Sequence, residues 1–371
     1  MTVLPEKTRR TLEKLVSSMR VKENVYGIGL FGSWGRGDAA SSSDVDLFIL
    51  DKSDFPEEYV ERIVLNGLFI DLNHVPKSLF QGLIPPEMDQ RLQEMQVLYD
   101  RDWSLTNIKL LMGRCYASAE RVDIRTEAHV IDSDVYLSRA TSAFSREDYQ
   151  SACLFAGVAF EFVLRVLMEI TLEQFSNSRF VEKAEAATSK LHRQRYYKAY
   201  LHLAGLDKID PAQVKEKLEL FRKVWEEAHD LASVKARVLE SAHFRIKTRL
   251  NFYLNPAFLE GMIARASSLV DAGRFAEASR YVDAVSLDVL ENYVWLKALT
   301  SNVRVDLSTL MRSLKLLEKK NPRNYDSAVR LLGLDFADKA SAAVATADAR
   351  KMILEVRGER KALIKKCFSK S

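Results

Sequence analysis

"FGSWGRGDAASSSDVDLFIL", from Phe31 to Leu50, decides how the chain is read, because two aspartates near its end stand between apolar residues. Side chains on a strand alternate between faces, so Asp44, Asp46 and Phe48 share one face while Val45, Leu47 and Ile49 share the other. The apolar triplet suits a core. Two carboxylates one pleat apart resist desolvation and repel each other, so something positive is expected between them.

Upstream, "VYGIGLFG" (25–32) reads as a short buried strand that Gly32 ends. Gly32 and Ser33 then open "SWGRG", a short turn or helix start whose backbone N–H groups can face an anion. Glycine permits close backbone approach, Ser33 offers a hydroxyl and Arg36 a charged fork. Before this strand, "EKTRRTLEKLVSSM" (6–19) has helical spacing of apolar residues.

Downstream, "YVERIVLNGLFIDLNHV" (59–75) holds two apolar-alternating runs divided by Asn66-Gly67, the strongest short-range hairpin signal. On its second run Leu68, Ile70 and Leu72 take one face and Phe69, Asp71 and Asn73 the other. If this strand lies beside the Asp44/Asp46 strand, at about 4.8 Å, Asp71 joins the pair. Three carboxylates from adjacent strands span the roughly 3.5 to 4 Å between two catalytic metals. Oxygen-only ligation favours Mg²⁺ or Mn²⁺.

Gly32-Ser33, ten intervening residues and then Asp44-Val45-Asp46 resemble the GSx10DxD signature of DNA polymerase β-like nucleotidyltransferases. The stretch is most similar to the minimal nucleotidyltransferases of that superfamily. The resemblance covers roughly residues 20 to 76. It implies that Asp44 and Asp46 bind both metals, and that Asp71 binds one and helps deprotonate the attacking hydroxyl. It also implies that Gly32 and Ser33 hold the triphosphate, with Arg36 as a further phosphate contact. The implied reaction is attack of an acceptor hydroxyl on the α-phosphorus of a nucleoside triphosphate, ATP first among them, with release of pyrophosphate.

Beyond about residue 103 Ala, Leu, Glu, Lys and Arg dominate and strand signals fade after "QVLYD" (96–100). The expected fold is therefore an α/β nucleotidyltransferase domain, a mixed sheet with flanking helices, followed by all-α helical bundles. The expected boundaries are 1–102 for the catalytic domain, 103–254 for a helical bundle that binds the acceptor or is HEPN-like, and 255–371 for a C-terminal helical domain with a basic tail. Minimal nucleotidyltransferases are often paired with HEPN bundles, some of them ribonucleases with four to six residues between an Arg and a following His. Arg222/His229 and Arg237/His243 have that spacing. "KLHRQRYYKAYLHLAG" interleaves Lys190, Arg193, Arg195 and Lys198 with Tyr196, Tyr197 and Tyr200, a composition suited to nucleic acid or to a bundle helix.

Composition bounds the rest. With 371 residues, 47% hydrophobic and 29% charged, the chain has the mix of a globular protein with two or three domains. Residues 1 to 100 hold 11 Lys and Arg against 16 Asp and Glu, and the remainder 44 against 35, so an acidic segment precedes a basic one. Three scattered cysteines give no disulfide framework and suit a reducing cytoplasm. The most apolar run, "SACLFAGVAFEFVLRVLMEI" (151–170), carries Glu161 and Arg165 and reads as a bundle helix, so no membrane partner is expected. "GSWGRG" is neither GxGxxG nor a P-loop. The acceptor is left open among a small molecule, a protein and RNA, and a homodimer of acidic against basic portions is compatible with the charge split. An RNA-directed protein and an inactive nucleotide-binding, antitoxin-like module stand as the alternatives.

Overall fold

The computed structural model describes residues 4–40, 43–319 and 323–368. The chain divides into two compact units: residues 1–118 with 242–265, and residues 119–241 with 266–371.

The first unit is built on a mixed five-stranded sheet. Its strands are β1 (Val25–Phe31), β2 (Val45–Asp51), β3 (Tyr59–Leu65), β4 (Leu68–Pro76) and β5 (Gln96–Asp100), in the spatial order β3-β4-β2-β1-β5. β2 and β4 run parallel and all other neighbours antiparallel. Asn66 and Gly67 adopt φ of 53° and 74°, the paired left-handed conformation of a two-residue hairpin turn, and close β3 onto β4 with Leu65 opposite Leu68. That turn sets the register of every pair behind it.

Helix α1 (Glu6–Met19) lays Leu12, Leu15, Val16 and Met19 on one sheet face, against Ile28, Leu30, Val45, Leu47, Ile49, Ile70 and Leu72. Each large apolar side chain so buried contributes about 1.5–3 kcal/mol. The other face is covered too. Gly27 and Gly29 of β1 make room there, since a Cβ would press on Leu105 at the first and Met95 at the second. Leu105 belongs to α4 (Ser104–Cys115), which follows the short α2 (Gly32–Arg36) and α3 (Asp89–Glu94). Phe48 is fully buried and packs near the rings of Phe31 and Phe80, so the face of β2 that bears the carboxylates is covered by apolar rings at its far end. Residues 242–265 complete this unit, and Phe244 of the helix Phe244–Tyr253 meets the ring of Tyr59 edge-on at 5.9 Å.

The second unit is helical. Its central helix α6 (Tyr149–Ile170) is apolar and long enough to cross a membrane by length and composition, and it buries Phe155, Phe160, Val163, Leu164 and Leu167 among its neighbours. It packs against α5 (Ala119–Ser145) and the long Lys339–Phe368 helix. The basic stretch at the C-terminus continues that helix through Phe368. There Leu363 and Ile364 are buried, and Arg360 pairs with Asp123 and Glu127; the last three residues lie outside the described ones.

Two tyrosines of the Tyr/Arg stretch are likewise packed into the bundle. Tyr196 and Tyr200 of α8 (Gln194–Leu203), which follows α7 (Phe180–Lys190), are 1% exposed. Lys190, Arg193 and Arg195 are paired with Glu173, Glu359 and Glu355. Some of the buried polar groups of this unit are joined to one another. Arg280, 3% exposed, donates to Glu161 through Nε (3.1 Å) and Nη2 (2.6 Å), and Tyr200 Oη donates to the same carboxylate at 2.7 Å.

Candidate active site

The parallel pairing of β2 with β4 sets Asp46 directly beside Asp71, and the hairpin register sets Arg62 of β3 directly across from Asp71. The sheet therefore brings Asp44, Asp46 and Asp71 to one face and adds a cation that the sequence reading did not include. Arg62 Nε donates to Asp71 Oδ1 at 2.6 Å, and its Nη2 donates to Asp71 Oδ2 at 2.5 Å and to Asp44 Oδ2 at 2.6 Å. Its side chain is 4% exposed. A second guanidinium, that of Arg265, donates from Nη2 to Asp44 Oδ1.

These contacts split the carboxylates. Burial pushes Asp44 up, but Arg265 and Arg62 outweigh it and hold the group below the usual aspartate range. Asp46 is driven well above that range by burial and by the charges of Asp44 and Asp71. The cluster therefore favours the proton on Asp46, while Asp44 keeps its charge against two cations.

At the other end, the strand β1 stops at Gly32, whose φ of +66° lies in the left-handed region. A Cβ there would collide with the Asp46 carboxylate, so glycine is what lets the turn and the carboxylate touch. The Gly32 N–H donates to Glu94 Oε1 at 2.8 Å, and Arg36 Nη1 donates to Glu94 Oε2 at 2.7 Å. Two of the three groups read from sequence as phosphate contacts, Gly32 and Arg36, thus hold a carboxylate of α3, an anion of the chain itself.

A divalent cation, which the carboxylate pattern implies, would meet carboxylates already engaged by arginine. Both oxygens of Asp44 and both of Asp71 accept from guanidinium groups. Among the described residues no group of three or more His, Cys, Asp or Glu is placed to hold a metal ion. The donor chemistry suits Mg²⁺ or Mn²⁺, but the arrangement does not fit one: the positive charge expected between the carboxylates is supplied by arginine.

Residues 12–93 match the model of the nucleotidyltransferase domain family. The matched segment contains Gly32, Ser33, Arg36, Asp44, Asp46, Arg62 and Asp71, whereas Glu94 and Arg265 lie outside it. No curated protein matches the chain. Among solved structures, a nucleotidyltransferase-like protein from Exiguobacterium sibiricum 255-15 is 13% identical over 82% of this chain and 90% of that chain, with a TM-score of 0.34. That likeness is too low to carry an argument. The nucleotidyltransferase domain thus rests on the matched segment and on the sheet that presents its carboxylates.

The Arg/His spacings fall elsewhere. Arg222 and His229 both lie on α9 (Pro211–Val234), where Arg222 is exposed and the His229 ring stacks on Trp225 at 4.8 Å between centroids. Arg237 is exposed, and His243 caps the helix Phe244–Tyr253, its Nδ1 accepting from the Arg245 N–H at 3.3 Å.

Sequence reasoning overlooked Arg62, Glu94 and Arg265. The first was within its reach: a two-residue turn at 66–67 pairs 65 with 68 and hence 62 with 71. Glu94 and Arg265 come from distant segments and carry no local signal.

Proposed function

We propose that the chain is a nucleotidyltransferase that moves an NMP group from a nucleoside triphosphate, ATP in the first instance, to an acceptor hydroxyl on a small molecule or protein. The observation that carries this reading is the contact of the Gly32 turn with the Asp46 carboxylate while Asp71 stands beside Asp46 on the next strand. A turn that holds an anion, here the Glu94 carboxylate, then abuts a carboxylate cluster. In the transfer, the acceptor hydroxyl gives its proton to a carboxylate of the cluster, the role the resemblance gives Asp71; its oxygen forms a bond to the α-phosphorus, the bond from that phosphorus to the bridging oxygen breaks, and pyrophosphate leaves with the electron pair. Holding attacking and leaving oxygens in line is the chief service such a site renders.

A second reading, a nucleotide-binding module without turnover, is favoured by the engagement of Asp44 and Asp71 with guanidinium groups. One experiment separates them. Protein is incubated with each α-labelled nucleoside triphosphate, Mg²⁺ and fractionated cell extract, with Asp46→Asn as the control. Label entering a small molecule or protein with the native chain and lost with Asp46→Asn supports transfer. Nucleotide binding with no label transferred supports the module, and label in RNA redirects the acceptor assignment.

A further inference from the structure

The place between the three carboxylates is built around Arg62. Its guanidinium lies 5.4 Å from the ring centroid of Phe252 and 5.2 Å from that of Phe258, a separation at which an aromatic face attracts a cation. Its backbone carbonyl accepts from Asn255 Nδ2 at 3.1 Å. Gly261 leaves room for the guanidinium, since a Cβ at that position would stand 2.8 Å from Arg62 Nη1. Arg265 comes from the same segment, and its side chain is 22% exposed against 4% for Arg62. Residues 252–265 therefore cage one guanidinium and deliver the other.

We propose that Arg62 and Arg265 hold the place of a divalent cation, so that the carboxylate cluster is closed to metal until Arg265 lets go of Asp44. Arg62 neutralises Asp71 from within the sheet and is fixed by rings and carbonyl contacts. Arg265 is the releasable part: it engages Asp44 from a helix and is open to solvent on one side. A bare divalent ion must displace a guanidinium already bonded to the carboxylate it would ligate. The inference concerns occupancy of the carboxylates and is measured without nucleotide, so it stands or falls apart from transfer.

The test is Mn²⁺ binding to the full chain, followed by loss of the free-ion EPR signal in the absence of nucleotide. The native chain, Arg265→Met, Arg62→Met/Arg265→Met and Arg265→Met/Asp44→Asn are compared after circular dichroism has shown each to be folded. Arg265→Met, at a half-buried position, is the variant to read if the double arginine variant does not fold. The expected result is that Arg265→Met binds Mn²⁺ about tenfold or more tightly than the native chain, a difference of roughly 1.4 kcal/mol, and that adding Asp44→Asn removes the gain. Native affinity equal to that of Arg265→Met would overturn the inference, as would a gain that survives Asp44→Asn.

Discussion

Replacing Arg280 by Met should destabilise the helical unit far more than its loss of one side chain suggests. Arg280 is 3% exposed, gives two hydrogen bonds to Glu161 and lies 4.2 Å from the ring centroid of Phe180. Without it Glu161 keeps the hydroxyl of Tyr200 and loses the larger of the two cationic influences, Arg280 and Arg165, that against its burial hold its pKa below the ordinary glutamate value. Removing one member of a buried pair typically costs about 3–5 kcal/mol, whereas replacing both by apolar residues is often neutral. For a unit of this size each kcal/mol moves Tm by about 2–4 °C, so the expected fall is about 6–20 °C. Scanning calorimetry and urea titration on Arg280→Met and on Glu161→Leu/Arg280→Met would measure it. The double variant should recover most of the loss. A single variant within about 0.5 kcal/mol of native, the range of ordinary surface changes, would refute the argument that the arginine neutralises a buried charge.

Gly32→Ala combines a left-handed φ of +66° with a collision against Asp46; a loss of about 1–2 kcal/mol from the backbone alone is expected in urea titrations, and no loss would mean that the turn relaxes freely. The helical unit should also weaken in acid. Glu169 is pushed up by burial but held lower overall by His129 and Arg125, and Glu161 is lowered likewise by Arg280. A folded-state pKa below the unfolded one supplies stability above the ordinary glutamate range that disappears as pH falls through the lowered values. Glu169→Gln should therefore flatten the acid limb of a Tm-against-pH curve, and an unchanged slope would count against this assignment.

Much of the first unit was legible because local rules sufficed. Asn66-Gly67 specified a hairpin and its register, Gly32 specified the strand end, and alternation on 44–49 and 68–73 assigned each side chain a face. What could not be read was whatever arrives from afar: Glu94 at the turn and Arg265 at Asp44. Burial of Phe48 was also missed, since alternation distinguishes faces of a strand but not whether both are covered. In the helical unit, Tyr196 and Tyr200 illustrate the same limit. Basic and aromatic residues at helical spacing suit a nucleic-acid surface or a packed helix, and only the neighbours decide; here Glu355 and Glu161 accept their hydroxyls.

Because residues 242–265 complete a unit begun by residues 1–118, the ribosome releases the two halves of that unit at different times. At about 5–20 residues per second, the closing segment follows residue 118 by roughly 7 to 29 s. During that interval the nascent sheet has Arg62 but lacks the Phe252 and Phe258 rings. Biogenesis therefore passes through a species whose acidic cluster has one arginine fewer than the finished protein, a window in which a metal ion or a chaperone can meet it.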